Sequence, residues 1–267
     1  MKTTNKIMKL RARQSLQGNY GIVVGSQILM GVLLAAFVFI FEVVMMILLV
    51  AGALWLDGKS TIFYIAGIFC FVAVVYLGIL AFGSLFCAGY TRMFLEIAQA
   101  RPTVAGDIFY AFKNRGIRFV GLFFVLFLIQ LAVSLPLGIL FIVMTAILGR
   151  GAVWAAFLGY VPMLWMLLQY SQSMYLMIEN PEMGILDCLR GSRRMMQGNK
   201  FRLFLLWMSF VGWIPLIYLS MGIGALWVTP YLLCTLAHFY LSVRMEQECG
   251  GYLKTEESGG DEWTIES

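Results

Sequence analysis

Charge is what this sequence has least of. Only 12% of its 267 residues are Asp, Glu, Lys or Arg, against about 25% in a soluble domain. With 61% hydrophobic residues, it has too little polar side chain to cover a water-exposed surface, and a soluble globular fold is excluded. Histidine is scarcer still. His238 stands alone, so neither an H-E-x-x-H pair nor a Cys/His cluster is available to hold a metal. Cys70, Cys87, Cys188, Cys234 and Cys249 are odd in number and contain no C-x-x-C pair. That implies neither a disulfide framework nor a zinc site, and they read as small packing residues. No catalytic constellation and no cofactor fingerprint is found. The basic residues leave a net charge of +5 but carry no RNA- or DNA-binding motif, so nucleic acid is not expected as a partner.

What is present is a series of nearly charge-free tracts at 22–56, interrupted only by Glu42, and at 62–91, 119–149, 151–178 and 203–243. About 20 apolar residues cross a hydrocarbon core of about 30 Å. The last tract would span about 60 Å at 1.5 Å per residue and carries Pro215, Gly222 and Gly224 near its middle, so it splits into two crossings. The first tract follows a basic N-terminus but is too long for a signal peptide, and reads as a retained membrane helix. The expected architecture is all-α: six transmembrane helices at 22–46, 67–91, 119–143, 154–178, 202–220 and 223–244, arranged as three hairpins. They form one transmembrane domain over 1–245. The segment 246–267, rich in acids from Glu246 to Glu266, is expected to be a disordered tail.

Orientation follows from Lys and Arg, which stay on the cytoplasmic side. Alternate loops separate seventeen basic residues from two, Lys59 and Arg150. Both termini are therefore predicted to be cytoplasmic in a multi-pass protein of the cell membrane.

The basic segments also resemble one another. Gln17-Gly18-Asn19 recurs as Gln197-Gly198-Asn199, and Ile117-Arg118-Phe119 lines up with Phe201-Arg202-Leu203. Each hairpin is thus predicted to follow a basic amphipathic segment. In the third, Asn180 is expected to cap a helix with Pro181 at its first position. Ile185, Leu189, Ser192 and Met196 then share one face, with Asp187, Arg190 and Arg194 opposite. Such a helix would lie in the headgroup region, with Arg190, Arg193, Arg194 and Lys200 contacting anionic lipid or a partner. Positive-inside flanking sequence explains the same charges without lipid specificity.

The last third carries a recurring pattern: Gly198, then Ser209-Phe210-Val211-Gly212-Trp213, Gly222-Ile223-Gly224, Trp227 and Pro230-Tyr231. This resembles the bacterial integral membrane family catalogued as domain of unknown function 975. Arg13, Leu16, Gly18, Asn19 and Tyr20 are similar to that family's start, so the resemblance covers nearly the whole chain. It implies a polytopic protein of the bacterial cytoplasmic membrane, most often in Gram-positive organisms, with no established activity. The motif residues are then expected to be structural.

Three features compete as sites of chemistry. Glu42 is the one acid inside an apolar tract, which marks it as a functional candidate. Some twenty residues of rise from Ile22 would bring it about 30 Å up, to the outer interface, where a carboxylate costs little. An interior polar contact or an ion pathway are the other readings. Ser209 or Ser84 with His238 would be the minimum for intramembrane nucleophilic catalysis, without an oxyanion-hole motif beside either serine. Pro136, Pro162 and Pro230 either kink helices or mark a substrate pathway. The leading expectation is a non-enzymatic protein that organises membrane lipids or a membrane protein partner at the cytoplasmic face. A transporter or exporter component using Gln130, Ser134, Thr145, Gln169, Ser171 and Thr229 is the alternative.

Overall fold

In lipid the backbone finds no partner but itself, so charge-free tracts become helices. The computed structural model describes residues 5–55, 61–148 and 153–259, and these are mostly helical, without a strand among them. Lys59 and Arg150, the two basic residues expected on the far side, lie outside the described residues. Three helices of nearly unbroken apolar sequence are α2 (Tyr20–Trp55), α3 (Thr61–Ala98) and α5 (Gly116–Leu148), with 36, 38 and 33 residues. At 1.5 Å per residue each runs about 50 Å or more, well beyond the hydrocarbon thickness. Two further spans are long and apolar enough to cross: 200–219, made of α9 (Lys200–Val211) and α10 (Ile214–Leu219), and the first part of α11 (Ala225–Gly259). The protein is a multi-pass membrane protein. α6 (Val153–Tyr170), with 18 residues, is shorter than these.

The membrane stretches pack little on one another. None of the most apolar window of α2, α3 or α5 is buried by protein, against 44% in α11. The protein core sits instead at one end, where the short amphipathic segments gather. α1 (Asn5–Leu16) lies on α11 and buries Met8, Ala12 and Leu16. Full burial of a Met or Leu side chain contributes about 1.5–3 kcal/mol, so two such residues anchor α1 firmly. A 3₁₀ turn (Ala105–Phe109) and α4 (Tyr110–Lys113) cover the end of α3, while α7 (Ser173–Glu179) and α8 (Ile185–Met195) fill the space between α3, α5 and α11. We call this end the base.

The repeat seen in the sequence is structural. Met8, Ala12, Leu16, Val23 and Ser26 are buried at the same spacing as Cys188, Ser192, Met196, Leu203 and Leu206. Between the paired helices Gly18 and Gly198 take φ of 92° and 76°, a conformation that glycine adopts without strain. The Asn19 amide donates to the Leu16 carbonyl at 3.0 Å and that of Asn199 to Met196 at 3.2 Å. Each asparagine also donates its side-chain Nδ2 to a carbonyl four residues back. The middle unit places Phe119 and Leu122 where the others bury Val23 and Ser26, or Leu203 and Leu206.

Several sequence expectations need correction. The first crossing does not stop near 46 but continues through the apolar tract to Trp55. The fourth, read as 154–178, breaks at Ser171-Gln172 into α6 and α7. There Ser192 of α8 substitutes for helix bonding: its Oγ accepts the Gln172 amide at 3.2 Å and donates to the Gln169 carbonyl at 2.9 Å. The fifth is interrupted at Gly212-Trp213. Asn180 and Pro181 do not open a helix. Asn180 closes α7, its amide donating to Leu176, and α8 starts later, at Ile185 behind Gly184. The apolar face of α8 does not rest on lipid either, because Cys188 and Leu189 pack with Phe119, Leu122 and Met174. Helix α11 runs on to Gly259, into the segment expected to be an unstructured tail.

Candidate functional site: the charged base

Ionisable side chains collect where the helices leave the apolar tracts, and the base binds them into two connected groups. Glu179, the last residue of α7, is the centre of the first. One carboxylate oxygen accepts the Gln99 Nε2 of α3 at 3.2 Å. The other accepts the Tyr240 phenol at 2.5 Å and the Arg244 guanidinium at 2.6 Å, both from α11. Arg244 reaches Glu248 as well, and Tyr240 stacks on Tyr175 with ring centroids 4.9 Å apart. On α3, Arg92 pairs with Glu96 at 2.8 Å and lies 3.7 Å above the ring of Tyr110. Ordered charges at these distances hold three helices in register.

Arg202, at the start of α9, organises the second group. It donates to both carboxylate oxygens of Glu246, at 3.0 and 3.1 Å, and to Ser242 at 3.0 Å. Its backbone carbonyl accepts Asn5 of α1. Glu246, assigned by sequence to the acidic tail, is therefore a structural partner of the base.

Two clefts open beside these groups. One, about 440 Å³, is lined by Arg92, Glu96, Gln99, Arg101, Glu179 and Arg244 among others. The second, about 350 Å³, lies between α4, the start of α5 and the α7–α8 connection. Tyr110 and Pro181 line both. Chemically, such clefts recognise charged and hydrogen-bonding groups, with arginine suited to phosphate and carboxylate.

The sequence candidates are distributed unevenly over this arrangement. Arg190, Arg193 and Arg194 share the exposed face of α8, where Arg190 pairs with Asp187 at 3.2 Å. Lys200 is not with them. Its Nζ donates to Gln169 Oε1 at 2.9 Å and sits 4.0 Å over the ring of Trp165. Glu42 is exposed on α2 and bonds to no other described residue. Ser209 and Ser84 donate to carbonyls of their own helices, Leu206 and Ala81, and neither meets His238. His238 Nε2 lies 3.0 Å from Ser15 Oγ of α1 instead, with no carboxylate bonded to it among the described residues.

The motif residues shape the turns. Gly212 and Trp213 fall at the break between α9 and α10, and Gly222, with φ of 91°, lies in the turn at 220–224 that joins α10 to α11. The Gly224 amide donates to Ser220 Oγ at 2.8 Å, and a Cβ there would stand 2.7 Å from that oxygen. Trp227 is exposed, Pro230 is buried, and Tyr231 packs against Phe210 at 5.2 Å. Sequence reasoning missed Glu179, Gln99, Tyr110 and Arg92. The one available signal was that Glu179 is the first acid after a long charge-free tract.

The family described as protein of unknown function, DUF975, matches residues 1–247. No curated protein and no solved structure matches the chain.

Proposed function

The chain belongs to the DUF975 family, and we propose from the geometry of this member that it is a non-enzymatic protein of the bacterial cell membrane that organises lipid or a partner protein through its base. In this reading it crosses six times as three hairpins, α6 supplying the crossing that pairs with α5. The base, both termini and the basic segments are cytoplasmic, following the positive-inside bias. One observation carries the reading: charged side chains concentrate in a packed base, while none of the most apolar windows of α2, α3 and α5 is buried inside the protein.

Transport is less well supported. Ser134 and Thr145 donate to carbonyls of their own helix, Ser171 donates to the Leu168 carbonyl at the end of α6, and Gln169 is engaged by Lys200. None of the six polar residues that a pathway would need lines either cleft of the base. A pull-down from detergent extracts should recover a reproducible membrane partner, or a deletion strain should show altered lipid composition or envelope-stress resistance. Failure of both removes the proposal.

A further inference from the structure

In the topology proposed above, the second cleft lies at the depth of the lipid headgroups. Arg118 is the last charge before the uncharged stretch 119–148, so hydrocarbon begins about one turn above it. Lys113, Arg115 and Arg118 line the cleft together with Asn114, Tyr110 and Glu182. Beside them Ile117 is 84% exposed, an apolar side chain standing next to three cations at the foot of a membrane helix. α5 starts at Gly116, so the positive end of its macrodipole adds to the same field.

The internal repeat supplies a comparison within the molecule. Arg118 and Arg202 are equivalent positions of two units. Arg202 is neutralised by Glu246, through side chains only 13% and 21% exposed. Arg118 has no carboxylate among the described residues; it donates to the Met183 carbonyl. Lys113 is exposed and has no bonded partner there either. The one acid in the cleft, Glu182, pairs with Arg115 at 3.3 Å, with side chains 62% and 82% exposed. A solvated pair of that kind is weak and yields readily to a competing anion. The fold thus repeats a membrane-foot arginine, supplies its counter-ion in one unit and leaves it open in the other.

We infer that this cleft binds the phosphate of an anionic phospholipid headgroup, held by Lys113, Arg115 and Arg118, with an acyl chain alongside Ile117. The inference rests on the lipid-organising reading above and gives it a site distinct from the arginines of α8. A soluble phosphate ester offers the same chemistry, and the difference is the acyl chain.

The test uses the full chain in neutral detergent and native mass spectrometry of retained phosphatidylglycerol, with phosphatidylcholine as control. K113Q/R115Q should weaken phosphatidylglycerol retention about thirty-fold at low salt, two interfacial cations being lost. Glu182→Gln should strengthen it, a gain that misfolding does not produce. R190Q/R193Q/R194Q should leave it unchanged, and phosphatidylcholine should be indifferent throughout. Equal retention by wild type and K113Q/R115Q, with loss in the α8 variant, would overturn the site while sparing the lipid-organising reading. No preference of the wild type for phosphatidylglycerol over phosphatidylcholine would remove both. Displacement of the lipid by millimolar glycerol 3-phosphate would overturn the lipid assignment in favour of a soluble ester.

Discussion

Arg244 donates to Glu179 at 2.6 Å across 65 positions of sequence, and Tyr240, one turn earlier on the same helix, donates to the same oxygen. α7 and α11 are thereby locked at the one carboxylate that also reaches α3. Glu179→Gln keeps the shape but removes the charge, and the side chain is only 13% exposed. Hydrogen bonds to a charged group contribute about 1.5–3 kcal/mol, so thermal unfolding in detergent should shift down clearly. Glu248→Gln, at the 56% exposed end of the network, should cost less than about 1 kcal/mol.

Arg202 and Glu246 should behave as a unit. Removing one partner leaves a part-buried charge uncompensated, at about 3–5 kcal/mol in the fully buried case. Arg202→Gln and Glu246→Gln should therefore each destabilise, and the double variant should cost much less than their sum. Additivity in a double-mutant cycle would show that the pair is not coupled.

Much of this organisation was legible in the sequence, and the failures have physical causes. Charge-free tracts gave the long helices, and Gln-Gly-Asn gave the repeat, because a turn needing positive φ restricts residue choice locally. Asn180-Pro181 misled because both residues follow helix ends as readily as they precede helix starts. The periodicity of α8 identified its covered face but could not name the cover, since Phe119 and Met174 serve as well as lipid. Glu179 was invisible because its partners lie on two other helices, and pairing at that separation leaves no local pattern.

Docking of α8 can be followed at Cys188, whose side chain is buried. Burial pushes its thiol pKa up, with Arg118 opposing, so little thiolate forms at neutral pH and alkylation is slow. In a variant retaining Cys188 as its one cysteine, maleimide should react far more slowly than after Leu189→Asp detaches the helix. Equal rates would mean that α8 is not held against α5 and α7.

Gly89 faces the turn before α4 so closely that a Cβ would overlap the Ile108 carbonyl. Gly89→Ala should cost about 1–3 kcal/mol through displaced backbone. At Gly78, also on α3, a Cβ meets nothing within 4 Å. Gly78→Ala should be neutral or slightly stabilising in the same unfolding measurement.

Cysteine-accessibility labelling should find residues 98–116, 180–198 and 246–267 on the cytoplasmic side, and positions 59 and 150 outside. Labelling of 180–198 from outside would contradict the six-crossing topology. Glu42→Gln should leave expression and insertion unchanged if this exposed carboxylate, bonded to no other described residue, sits at the outer interface. Loss of function with normal expression would assign it a polar role within the membrane.

The contact between Ser15 and His238 joins positions 223 apart in the chain. A ribosome adding about 5–20 residues per second takes about 10 to 45 s to travel between them. During that time α1 already exists and its seat on α11 does not, so the face of Met8, Ala12 and Leu16 waits unburied. A segment made well before α11 is thus put in place only once α11 exists, and any nascent chain arrested before α11 carries that face uncovered.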